Sequence, residues 1–155
     1  MITDALPPPS PPTHQCVLME AARQALPPLL VVAIIHQEGG RPGSYSRNRN
    51  GSIDLGTMQI NSSNIGRIAR TGYGARVVDQ ELGYRTASTI MNDGCLNVSV
   101  GAWMLRSCID AMKGDIFRGV GCYNSANRKY ADKYATQVLK RYVKLRRRYL
   151  SYEWY

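Results

Sequence analysis

The 155-residue chain is first narrowed by what it lacks. It has no run of about 18 apolar residues, so nothing in it reads as a membrane-spanning helix. Leu29 to Ile35 is apolar but too short, and it leads into charged residues and glycine. The four cysteines have no C-x-x-C spacing, and the two histidines, His14 and His36, are not placed as partners, which argues against a zinc site. There are no internal repeats. Acids are scarce, 11 against 20 basic residues, and only four are glutamates: Glu20, Glu38, Glu81 and Glu153. Met1 to Thr13 has neither a basic n-region nor an apolar h-region, so it does not read as a signal peptide. Its prolines favour an extended, poorly ordered arm.

The hydrophobic fraction, 44%, suits one globular domain with a single core. The net charge of +9 suggests nucleic acid until it is located. Residues 128–148 hold nine basic side chains and one acid, Asp132, while the remainder holds 11 basic and 10 acidic groups. The basicity therefore belongs to one C-terminal helix, and nucleic acid is a poor candidate partner for the whole chain. An even cysteine count fits two disulfides in an oxidising compartment, although four cysteines allow three pairings. Cys108 and Cys122 would close a short loop, so that pair is expected, with Cys16 and Cys95 as the other. Four buried free thiols are the alternative.

Taken in order, His14 to Leu26 predicts a helix with Val17, Ala21, Ala22 and Ala25 on one side, stopped by Pro27-Pro28. Leu29 to Glu38 is apolar nearly all round, as in a helix buried in a core, and Gly39-Gly40 terminates it. Within Gly43 to Leu55, Asn50-Gly51 signals a tight turn and a short hairpin. Ser62-Ser63 is placed to cap a short helix through Arg70, ended by Gly72, and a further helix covers about Gln80 to Met91. Val98, Ala102, Leu105, Ile109 and Met112 follow the spacing of a core helix. Gly119 to Ala126 reads as a turn entering a short helix that carries Cys122-Tyr123-Asn124. Tyr130, Tyr134, Val138, Tyr142, Leu145 and Tyr149 recur every three or four residues, giving an amphipathic last helix with its basic residues on the other face. The Arg146-Arg147-Arg148 run is either a solvated face or a contact for an anionic partner.

The most informative stretch begins at Glu38. A carboxyl group at the end of an apolar helix faces the negative pole of the helix dipole and loses hydration. Both effects raise its pKa, as a general acid requires. The bland alternative is a helix-end glutamate bonded to the backbone or paired with Arg41 or Arg47. Glu38, Ser46 and the run Asn48-Arg49-Asn50-Gly51-Ser52-Ile53-Asp54-Leu55-Gly56-Thr57-Met58-Gln59-Ile60-Asn61 together resemble the active-site region of the lysozyme-like superfamily. The resemblance is strongest to the lytic transglycosylases that accompany conjugation, secretion and pilus assembly. Asn97-x-x-x-Gly101-Ala102-Trp103 and Tyr123-Asn124-Ser125-Ala126 resemble that family too, and the likeness covers about Cys16 to Tyr142.

The resemblance implies a mainly α (α+β) lysozyme-like fold, with a small irregular β-hairpin region beside the active-site helix. Residues 1–14 are then a Pro-rich flexible arm, 15–145 the transglycosylase domain and 146–155 the basic, aromatic end of the last helix. It makes Glu38 the catalytic acid/base and Gln59 a lining residue of the sugar groove. Tyr123 becomes a tyrosine whose hydroxyl lies near the catalytic carboxyl, and Ser46 a hydroxyl partner of the site. Met58, Asn61 and Asn124 complete the substrate-binding set, with packing as the alternative for Met58 and Tyr123 and turn hydrogen bonding for the two asparagines. One departure stands out: the family usually has a serine directly after the glutamate, where this chain has Gly39, and Gly39-Gly40 implies a looser loop. Asp54, in Gly-Ser-x-Asp-x-Gly, resembles the second catalytic acid of animal-type lysozymes. Retaining hydrolysis needs two carboxyl groups about 5 Å apart, whereas transglycosylases need only one, so a turn-stabilising aspartate is the competing role. The implied substrate is the glycan strand of peptidoglycan, cleaved by a periplasmic monomer without metal or organic cofactor, beside an envelope-spanning secretion, conjugation or pilus complex. A non-catalytic peptidoglycan-binding assembly module is the competing class.

Overall fold

The structure, a computed structural model, describes residues 8–70 and 83–152. It is mainly helical with one small sheet, as the resemblance implied. In chain order the elements are α1 (His14–Arg23), α2 (Pro28–Glu38), β1 (Tyr45–Arg47), β2 (Ile53–Leu55) and β3 (Ile60–Asn61). A 3-10 turn (Ser62–Asn64) follows, then α3 (Ile65–Arg70), α4 (Gly83–Asn92), α5 (Gly94–Ala111), α6 (Ile116–Asn124) and α7 (Arg128–Tyr152). The chain divides into two compact units. The first holds Glu38–Gly101 with the N-terminal segment through Cys16, and the second holds Val17–Gln37 with Ala102 onward.

In the first unit, β1, β2 and β3 form an antiparallel sheet in that order. The Asn-Gly signal does what its chemistry dictates. The Gly51 N–H donates to the Asn48 carbonyl at 3.1 Å and the Asn48 N–H to the Ser52 carbonyl at 2.9 Å. Gly51 takes the left-handed φ of +86° that the bulge after such a turn requires. The third strand and the 3-10 turn were not legible in the pattern. The cap of that turn is Asn61, whose side chain accepts the Ser63 N–H, and not Ser62 or Ser63. The expected terminator Gly72 and the expected helix start at Gln80 lie outside the described residues. Asp93 caps α5 by accepting the Leu96 N–H at 3.0 Å. The proline-rich segment meets this unit at Ser10, whose N–H donates to the Asn92 carbonyl and whose carbonyl accepts the Gly94 N–H, both at 2.8 Å. Cys16 and Cys95 are bonded a few residues away, with Cα atoms 5.8 Å apart.

In the second unit, α1 stops at Arg23, short of the two prolines. The Leu26 N–H reaches back to the Ala21 carbonyl and the Ala25 N–H to the Ala22 carbonyl, with Ala25 left-handed at φ +52°. That pair of bonds ends the helix before proline has to. α2 is buried along Leu30, Val31, Ala33 and Ile34 and emerges toward its end, where His36 is exposed. The segment from Gly119 is not a turn. α6 already runs from Ile116, capped by Asp115, and carries Gly119 and Gly121 inside it. A Cβ on Gly119 would run into Ile109, and one on Gly121 would sit 3.0 Å from the Ala131 Cβ. These glycines let α5 and α7 approach α6 closely. Cys108 and Cys122 form the second disulfide, so both expected pairs are present. α7 has 25 residues, but of its stripe only Tyr134 and Val138 are buried, with Ala135 beside them.

Candidate active site

Glu38 is the last residue of α2 and is half-buried. Gly39 follows it in the left-handed conformation, φ +66°, which is how a helix is ended where no Cβ intervenes. Gly40 is constrained by space instead of by φ. A Cβ there would collide with the Gly56 carbonyl oxygen and stand 2.8 Å from Gln59 Nε2. The Gly39-Gly40 pair is therefore not a loose loop: it brings the backbone after Glu38 flush against the Gly56–Gln59 turn. Gly40→Ala is expected to destabilise the chain by about 3 kcal/mol, because backbone must shift. Gly39→Ala, strained by its φ alone, costs about 1 kcal/mol. Urea denaturation of the two variants checks the ranking, and a smaller loss for Gly40→Ala contradicts it.

The turn itself is tightly made. The Gly56 carbonyl accepts both the Gln59 backbone N–H at 3.1 Å and Gln59 Nε2 at 3.0 Å. Gln59 is left-handed at φ +53°, a strained state for a residue with a side chain, and it is half-buried. Asn97, fully buried on α5, holds the turn from beneath. Its Oδ1 accepts the Met58 N–H at 2.7 Å, and its Nδ2 donates to the Leu55 and Ile90 carbonyls, both at 2.9 Å. One helical turn along, a Cβ on Gly101 would strike the Met58 sulfur. The spacing of Asn97 and Gly101 thus has a physical meaning: one clamps the backbone of Met58 and the other makes room for its side chain. Met58 is 0% exposed, so it shapes the turn from behind and offers no surface to a substrate, which corrects its expected place in the groove wall.

The sheet arranges the remaining candidates. Ser46 pairs with Asp54 across β1 and β2, and Asp54 pairs with Asn61 across β2 and β3. Directly paired residues share a face, so these three side chains form one row. Asn61 Nδ2 donates to Asp54 Oδ1 at 2.8 Å and Asn48 Nδ2 to Asp54 Oδ2 at 3.1 Å. The same two amides donate to Ser52 Oγ, and Ser62 Oγ accepts the Ile53 N–H at 3.0 Å. Asp54 is thus the polar knot of the sheet, with both carboxylate oxygens engaged. Asn61 does three things at once: it lies in the row, binds Asp54 and caps the 3-10 turn.

Tyr123 and Asn124 belong to the second unit, at the end of α6. Tyr123 is half-buried and its ring stacks on Tyr134, with centroids 6.4 Å apart, while Asn124 is exposed. A network with no sequence signal lies in the same unit. Gln37, the residue before Glu38, donates from Nε2 to Gln137 Oε1 at 2.9 Å and accepts from Arg141 Nε at 2.8 Å. Both partners are on α7, so the last turn of α2 is tied to the basic helix.

A family model described as the transglycosylase SLT domain matches residues 15–144. Invasion protein IagB of Salmonella typhimurium is 35% identical over 124 residues, covering 76% of this chain and 68% of the relative. The IagB of Salmonella typhi matches to the same extent. Protein IpgF of Shigella flexneri is 29% identical over 128 residues, covering 79% of this chain and 76% of the relative.

Proposed function

The chain belongs to the transglycosylase SLT domain family, and we propose that it cleaves the MurNAc–GlcNAc β-1,4 bond of peptidoglycan through Glu38. As a member of that family it is a lytic transglycosylase acting on peptidoglycan. The observation that carries the residue assignment is the seating of Glu38 at the end of α2, with Gly40 pressed on the turn that presents Gln59. In the proposed reaction the protonated Glu38 carboxyl gives its proton to the glycosidic oxygen as the bond from the MurNAc anomeric carbon breaks. The substrate's own acetamido group stabilises the positive sugar centre. The muramyl 6-hydroxyl then bonds to the anomeric carbon and returns a proton to Glu38, leaving a 1,6-anhydromuramyl end. Gln59 and the row of Ser46, Asp54 and Asn61 are the first unit's proposed polar contacts to the glycan, and Tyr123 and Asn124 are the second unit's proposed substrate-binding residues.

A second reading is hydrolysis, with Asp54 as nucleophile or stabiliser. Its support is that Asp54 shares a row with Ser46 and Asn61 and is held in a fixed position by amide donors on both carboxylate oxygens. The same bonds serve equally to knot three strands together, and a transglycosylase needs no second carboxylate. Mass spectrometry of sacculus digests separates the two: 1,6-anhydro ends are expected, and reducing ends in their place would overturn transglycosylation in favour of Asp54-assisted hydrolysis.

The biological setting we infer is local opening of the cell wall, in the periplasm, for a secretion, conjugation or pilus system. Kinship with an invasion protein supports that setting, as does the resemblance of the active-site run to transglycosylases that accompany such systems. Among the described residues, no single helix is long and apolar enough to cross a membrane.

A further inference from the structure

Apart from the glycan site, the second unit carries a groove of about 850 Å³. Its walls come from three helices: Gln37 of α2, Phe117 of α6 and residues 136–147 of α7. The lining combines Lys140, Lys144 and Arg147 with Phe117, Leu139 and Val143, and contains no acid. Among the described residues those three cations make no ion pair. The one acid of α7's described stretch, Asp132, sits near the helix start and lies 3.8 Å from Arg128.

Such a surface is unfavourable when left uncovered. Lys140 and Lys144 are four residues apart and Lys144 and Arg147 three apart, so like charges face one another along the helix with nothing between them to compensate. Phe117 and Val143 keep 37% and 45% of their surface in water, and further along α7 Tyr149 and Leu150 keep 50% each. An ordinary solvated helix face intersperses both signs of charge and leaves few large apolar groups out.

We propose that this groove receives an acidic, amphipathic segment of a partner protein. Carboxylates of the partner pair with Lys140, Lys144 and Arg147, and its apolar side chains cover Phe117 and Val143, in the manner of a helix laid into a groove. Three helices make the surface a recess, which a flat lipid headgroup layer meets only at the rim. A glycan strand supplies few aliphatic side chains to cover Leu139 and Val143.

The test uses the full chain and a fluorescent helical peptide built from glutamate and leucine at helical spacing, read by anisotropy. Binding on the order of micromolar is expected at moderate salt. Lys140→Glu with Lys144→Glu weakens it at least about tenfold, and Val143→Ser about fivefold. All of these side chains are exposed, so thermal melting of Val143→Ser stays at the wild-type value, and that of the double variant stays there or rises, because a carboxylate at position 144 relieves the repulsion with Arg147. Muropeptide release also stays at the wild-type level, so failure here is distinguishable from failure of the Glu38 reaction. No binding of the glutamate–leucine peptide overturns the proposal, as does equal binding of a peptide with serine replacing every leucine. Binding of phosphatidylglycerol vesicles or intact sacculi that is lost in the double variant, with the peptide silent, reassigns the groove to lipid or wall.

Discussion

Glu38→Gln is expected to leave the chain folded and to reduce muropeptide release from purified sacculi by about 10²–10⁴-fold. The substitution keeps the shape and volume of the side chain and removes only the ionisable group. Glu38 ends its helix, where the dipole of α2 disfavours its charge, and the isosteric amide keeps the reach of the side chain, so unfolding should remain a single cooperative transition. An amide cannot give a proton to the departing oxygen or accept one from the muramyl hydroxyl, so both halves of the reaction fail together. Binding to sacculi should persist, because the groove residues are untouched. Release within about threefold of wild type would remove Glu38 from the mechanism, since a proton donor in the transition state contributes far more than that.

The second large effect is structural. Asn97→Ala is expected to cost about 3–5 kcal/mol of unfolding free energy. The reason lies in the number of buried groups it orphans: the Met58 N–H, the Leu55 carbonyl and the Ile90 carbonyl all lose their side-chain partner. Each sits where water cannot replace it, because Asn97 itself is fully buried. The damage is centred under the Gly56–Gln59 turn, so surviving folded protein should also lose activity as Gln59 leaves its strained conformation. Asn97→Asp keeps the bond from the Met58 N–H but loses both donated bonds and buries a charge, and should do no better. Denaturant titration gives the answer through the midpoint at constant slope. A loss below about 1 kcal/mol would mean that the clamp is redundant.

Local chemistry was enough for the repeating elements. An apolar run ended by glycine announces α2, apolar residues at helical spacing announce α5 and α7, and Asn50-Gly51 announces the hairpin because few other pairs accept that turn. Glu38 at the end of an apolar run, with Gly39 behind it, is likewise a one-dimensional signal. Other features depend on partners far away in the chain. Gly119 and Gly121 read as a turn until Ile109 and Ala131 are seen to occupy the space a Cβ would need. Met58 reads as groove lining until Gly101 is seen to receive it, and Asn97 has no role until the Met58 amide arrives 39 residues away. Gly39-Gly40 shows both levels at once. Its first glycine answers a backbone angle that adjacent residues set, and its second answers a carbonyl from another loop. Periodicity and turn chemistry act over a few residues and leave a mark in the sequence. Close approach and buried hydrogen bonding join positions that only the folded chain makes neighbours.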